Sequence, residues 1–216
     1  MSLSKMNAFG NNSNKATSLG MSKDRGKKVM ITDEAIKKVP YIKYRGVPEY
    51  QYDTIQQLAK NVLKIAQKEN DSNEVTITYS YDPKILAENN ELFGVYHGKE
   101  HSVDLMADPL TFHLIMNSSE CAVISLHNHP SLSLISLMDA QFFLYYQSIK
   151  LLVVVTNLGS ISYLAKSDKF KFQESLVLIN KAIEMHNKAT NLAGYQEAAK
   201  FFLKNCYKVG IIYDNK

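Results

Sequence analysis

Two short apolar runs, Cys121-Ala122-Val123-Ile124-Ser125-Leu126 and Leu151-Leu152-Val153-Val154-Val155, restrict the fold of this chain more than any other feature. Mostly apolar and β-branched runs of this length mark strands covered on both faces. Between them, Ser136 to Ser148 is apolar nearly all round (Leu137, Met138, Ala140, Phe142, Phe143, Leu144, Tyr145), which reads as a deeply packed helix. Strand, helix and strand with short joins make a βαβ unit. Its strands are parallel and its crossover is expected to be right-handed. The fold class that follows is α/β, a mixed β-sheet flanked by helices.

The remaining elements fit around that unit. Asp53 is placed to cap a helix in which Ile55, Leu58, Ala59, Val62, Leu63, Ile65 and Ala66 recur at helical spacing up to Asn70. Glu74 to Tyr79 alternates and reads as a strand, and Leu92 to Tyr96 as another. A third near His101 to Leu105 would close a hairpin across Gly98-Lys99. Pro109 to Met116 carries a short helical pattern, and Ile161 to Leu164 a further strand. Lys171 to about His186 and Gly194 to about Lys204 finish the chain as helices. Residues 1–28 are rich in Asn, Ser, Gly and Lys and read as a flexible arm. Residues 29–50, broken by Pro40, Gly46 and Pro48, read as an irregular connector or edge strand.

Composition excludes several classes. The chain has 216 residues, 45% hydrophobic and 21% charged, as a folded globular chain does and a disordered one does not. No apolar run approaches the roughly 20 residues that span a bilayer, and the start lacks an apolar signal region. The expectation is a cytoplasmic protein without a membrane partner. Two cysteines, Cys121 and Cys206, exclude a disulfide scaffold and a Cys-rich zinc finger, so a metal would rest on His and carboxylate. The net charge of +4 is uneven: residues 1–50 hold ten Lys or Arg against four Asp or Glu. The basic excess reads as a solvated arm, and a nucleic-acid partner is disfavoured.

The chemistry concentrates in His127-Asn128-His129-Pro130-Ser131-Leu132-Ser133-Leu134-Ile135-Ser136-Leu137-Met138-Asp139. His127 and His129 stand two residues apart where the first buried strand runs out, so both imidazoles leave one face and can reach one cation. Pro130 stops the strand. Asp139 falls in the first turn of the next helix, beside the same strand end. Two imidazoles and a carboxylate form a three-ligand set with a fourth position left for water, as a catalytic zinc site requires. The same letters also read more plainly: a His pair at a surface loop, and Ser136-x-x-Asp139 as a helix cap.

HNHPS followed by Ser136 and Asp139 resembles the JAMM (JAB/MPN-type) metalloprotease motif, and its wording is most similar to the RadC-like branch. The family's upstream glutamate pattern ExxGxxxG is matched by Glu91-Leu92-Phe93-Gly94-Val95-Tyr96-His97-Gly98. The resemblance covers residues 51–166 as a JAB/MPN-like catalytic domain, leaving 167–216 as a C-terminal helical extension. It implies a three-layer, cytidine-deaminase-like fold, Zn2+ as cofactor, and hydrolysis of a peptide, isopeptide or small amide substrate. By resemblance, His127, His129 and Asp139 are the zinc ligands. Glu91 is the general base that takes a proton from the attacking water, and Ser136 steadies the oxyanion. Glu91 lies 36 residues before His127, a short spacing for the family, so Glu88 and Glu100 stand as alternatives. RadC-like loops commonly carry Gly, Asp and Pro where this chain has Leu132-Ser133-Leu134-Ile135, which points either to a substrate or partner contact or to packing.

His97, His101, His113 and His186 read as ordinary surface or half-buried residues, and both cysteines as packing. Two other functions compete: an inactive scaffold of the same fold, with a protein partner or a second copy, and a metal-dependent protein acting on DNA.

Overall fold

The computed structural model describes residues 27–88, 93–100, 107–133 and 135–216. The expected strand near His101 to Leu105 and the glutamate Glu91 lie outside them. Six strands form one mixed sheet: β1 (Val75–Ser80), β2 (Phe93–His97), β3 (Val123–His129), β4 (Ile149–Thr156), β5 (Ile161–Lys166) and β6 (Ile211–Asn215), in spatial order β2-β1-β3-β4-β5-β6. Only β3 and β4 run parallel, joined by a helix, as the two apolar runs require. All other neighbours are antiparallel.

Helices cover both faces. On one side lie α1 (Asp33–Lys38) and α2 (Tyr52–Glu69); α2 buries Ile55, Leu58, Ala59, Val62, Leu63 and Ala66 against Ile77, Ile124, Leu126 and Val153. Each such side chain is worth roughly 1.5–3 kcal/mol on burial. On the other side α5 (Leu137–Tyr145), α6 (Phe172–Lys188) and α7 (Leu192–Asn205) pack Phe143, Leu144, Ile179 and Phe202 onto Val123, Leu152, Val154 and Leu164. Two short helices, α3 (Pro83–Glu88) and α4 (Pro109–Asn117), flank β2 in the chain. No helix of the described residues is long and apolar enough to cross a membrane.

Four local readings differ from the pattern in the sequence. Residues 29–50 are not an edge strand: they hold α1 and a 3-10 turn (Glu49–Gln51), and Ile31, Ile36, Val39, Ile42, Tyr44 and Val47 are buried in the α2-side core. The chain does not finish as helices alone, because β6 adds a strand beside β5. Gln51, not Asp53, precedes α2; Asp53 sits in the first turn and accepts a hydrogen bond from the Tyr41 hydroxyl at 3.0 Å. On α5, Met138 and Tyr145 are exposed, so its apolar surface exceeds what the core covers.

Lys166 ends β5 with its side chain buried between the Phe143 and Phe170 rings, its Nζ donating to the Tyr146 carbonyl at 2.8 Å. Burial pushes the ammonium down from its ordinary 10.5 to about 8. Between those two values the unfolded chain keeps a proton that the native chain has shed, so this group's contribution to stability rises with pH. Denaturant unfolding at pH 7.5 and 9.5 is expected to show wild type gaining about 1–2 kcal/mol relative to Lys166→Met. Parallel pH profiles for the two proteins would contradict it.

Candidate metal centre

The ligand strand ends as its alternation dictates. His127 and His129 project from one face of β3, the α5 side, while Asn128 projects from the other. Pro130 stops the strand, and the chain turns back into α5 through Ser136, whose Oγ accepts from the Asp139 backbone N–H at 3.1 Å. Asp139 closes the capping box by accepting from the Ser136 backbone N–H at 2.7 Å. Helix capping therefore aims the Asp139 carboxylate back at the end of β3.

Three potential ligands converge there. His127 Nε2 and His129 Nε2 lie 3.0 Å apart; Asp139 Oδ1 stands 3.2 Å from the first and Oδ2 3.5 Å from the second. One ligand atom from each residue falls within 4.8 Å of the others, so the group could hold a metal ion. Zinc bonds of about 2.0–2.1 Å in a tetrahedron place neighbouring ligand atoms about 3.3 Å apart. The separations suit such an ion.

The surrounding hydrogen bonds support this fit. His129 Nδ1 lies 2.8 Å from the Ser133 carbonyl oxygen, which can only accept. Nδ1 therefore carries the proton and Nε2 presents its lone pair to the centre, as a metal-binding histidine does. His127 Nδ1 is buried and meets no protein partner among the described residues. Burial alone would push the His127 imidazole down, but the Asp139 carboxylate beside it overrides this and holds its pKa raised, with a smaller push from Glu74. Burial would raise Asp139 in turn, yet His127, His129 and the Ser136 hydroxyl hold it well below the usual carboxylate range.

Ser136 is occupied by the carboxylate it caps. Its hydroxyl donates to Asp139 Oδ2 at 2.6 Å and so braces the third potential ligand. Asp139 Oδ2 serves the cap and also stands near His129, while Oδ1 faces His127.

A residue that the motif did not single out completes the picture. Glu74, half-buried, directly precedes β1, and Thr76 pairs with His127 across the antiparallel β1–β3 ladder. Period-two alternation puts Glu74 on the same face as Thr76, hence on the ligand side at the ligand end. Its charge acts on His127. Its backbone is pinned by Asn70 Nδ2 and the Gly98 N–H, both donating to its carbonyl at 2.8 Å. Of the glutamates read from the motif, Glu91 lies outside the described residues, and Glu100 is an exposed turn residue.

No family model, curated protein or solved structure matches the chain. The geometry stands by itself.

Asn128 clasps the site from the opposite face and was also missed. Its Oδ1 accepts from the Val75 N–H at 2.7 Å, and its Nδ2 donates to the Asn73 carbonyl and to Asn157 Oδ1. Asn157 extends the clasp to the Val29 and Ser72 carbonyls, and its own N–H donates to the His129 carbonyl. The residues on either side of Glu74 are thereby tied to the residue between the two histidines. Elsewhere, His97 pairs with Glu69, His113 with Asn117 and His186 with the Tyr195 ring, all away from the centre.

Gly94, part of the ExxGxxxG match, has a packing reason to be glycine. A Cβ there would fall 2.8 Å from the Thr111 backbone nitrogen and 3.0 Å from its Cα, at the start of α4. Gly94→Ala is expected to cost about 2 kcal/mol or more by forcing α4 off the sheet, read as a lowered denaturant midpoint. An unchanged midpoint would show that α4 yields freely.

Proposed function

We propose that the chain is a zinc-dependent hydrolase of the JAMM type, cleaving a peptide, isopeptide or related amide bond. The observation that carries this reading is the placement of one acidic residue, Glu74, on the same sheet face as a buried His127–His129–Asp139 group. His127, His129 and Asp139 would hold the ion, and the small nitrogen- and oxygen-donor set with three protein ligands suits catalytic zinc. When bound, the ion would lower the pKa of a water towards about 7. Glu74 would take the proton of the attacking water on a carboxylate oxygen and return it to the departing nitrogen. Ser136 holds Asp139 in place, and Ser133 holds His129 in the tautomer that exposes Nε2.

A role on DNA is less well supported. Residues 51–165, which contain the centre, carry six lysines and twelve Asp or Glu, a poor match for a phosphate-tracking cleft.

The test is hydrolysis of a peptide and isopeptide panel by the zinc-loaded protein. Glu74→Gln is expected to lower kcat by about 10²–10⁴-fold while retaining one zinc per chain, with Glu91→Gln and Glu100→Gln close to wild type. Activity that survives Glu74→Gln but falls with Glu91→Gln would return the base to the residue matched by sequence. No hydrolysis of any amide by the loaded wild type would leave a metal-binding scaffold.

A further inference from the structure

At the far end of the sheet from the metal centre lies a cleft of about 320 Å³, lined by Arg45, Lys169, Lys171, Lys208, Tyr207 and Tyr213, with no acidic residue in its wall among the described residues. Its volume is at the small end of ligand sites, which span roughly 300–1,000 Å³. The cations come from separate parts of the chain. Arg45 sits beside Gly46, whose positive φ of 81° turns the chain against Ile212 of β6. Lys169 and Lys171 belong to the turn after β5, and Tyr207 and Lys208 to the 3-10 turn before β6. Backbone bonds knit these turns together: the Ser167 N–H donates to the Gly210 carbonyl and the Lys171 N–H to that of Val209. The backbone that carries these side chains is therefore fixed by the fold.

Not all of its charges are paired. Exposed lysines such as Lys37 and Lys200 pair with a glutamate three residues away. Lys171 does so as well, with Glu174, but Arg45 and Lys169 are exposed and meet no acidic partner among the described residues. Residues 166–216 carry nine lysines against five Asp or Glu, the reverse of the segment that holds the metal centre. Like charges gathered around one concavity repel one another and are relieved by an anion. Tyr207, a residue 68% exposed, adds an aromatic ring at the rim with Lys208 Nζ 5.9 Å from its centroid. Cations beside an exposed aromatic side chain suit a ligand with a phosphate and a planar base.

We propose that this cleft binds a nucleoside phosphate, its phosphate between Arg45, Lys169 and Lys171 and its base against Tyr207. The ligand would sit beyond the opposite end of β5 from the metal centre, and six residues of strand separate the two by about 15 Å or more. The two sites can therefore be tested separately.

The test is calorimetric titration of the full chain at low salt with ADP, inorganic phosphate and an eight-nucleotide single strand. ADP is expected to bind with a Kd of about 10–500 μM, weakened at least about tenfold by Arg45→Ala combined with Lys169→Ala. Tyr207→Ala should weaken ADP severalfold and leave phosphate unchanged. All three substitutions are of exposed residues, so unaltered thermal unfolding serves as the folding check. Absence of saturable ADP binding below about 5 mM, or binding indifferent to loss of the two cations, overturns the site. Phosphate binding as tightly as ADP overturns the aromatic contact. An oligonucleotide that binds more than about tenfold tighter than ADP, and is lost in the same variants, identifies the source as a nucleic-acid strand; one that binds no tighter identifies a free nucleotide.

Discussion

Zinc titrated into metal-stripped protein is expected to raise the thermal unfolding midpoint, and His129→Ala to abolish the rise. A ligand that binds only the native state stabilises it by about 4 kcal/mol at a thousand times its Kd. For a chain of this size each kcal/mol moves the midpoint by about 2–4 °C, so a shift of about 8–16 °C should be seen. His129 is the informative ligand to remove. Asp139 also caps α5, so its loss would weaken the helix whether or not an ion binds. His129 holds its Nδ1 against the Ser133 carbonyl and turns its Nε2 to the centre. Metal analysis should find about one zinc per chain in wild type, and none in the variant, if the three-ligand site is correct. An equal midpoint shift in both proteins would place the ion elsewhere.

The second large effect is expected at Asn128. The Val75 N–H, the Asn73 carbonyl and Asn157 Oδ1 all bond to this one fully buried side chain. Asn128→Ala strands two buried polar groups and a third that is part-buried. At about 1–3 kcal/mol for each buried group left unpaired, and with partial relaxation, a loss of about 3–5 kcal/mol is expected. Urea unfolding measures it directly. Zinc affinity should fall as well, because the clasp sets the end of β3 against the start of β1. A loss below about 1 kcal/mol would show that the network is dispensable.

The βαβ unit was legible because burial on both faces writes continuous apolar runs, and β3 and β4 follow them closely. The two histidines were legible because period two is the alternation of a strand, and Asp139 because a capping serine fixes where the first turn points. Glu74 was not. A glutamate heading a strand is an ordinary solvated residue by composition, and its nearness to His127 depends on the register of β1 against β3. The letter match points to Glu91, which lies outside the described residues, and Gly94 within that match packs against α4. β6 was hidden because five residues after a turn give too little alternation to stand out. In residues 29–50, Pro40, Gly46 and Pro48 break the periodicity that would have announced their buried side chains.

The antiparallel pairing of β6 with β5 has a consequence for handling the protein. Without Ile211–Asn215, the outward backbone donors and acceptors of Ile161–Lys166 would face water along a largely apolar margin. Such a margin is a template on which other chains can add. A fragment cut after Gly210 should therefore self-associate on purification, and tags are better carried at the amino end.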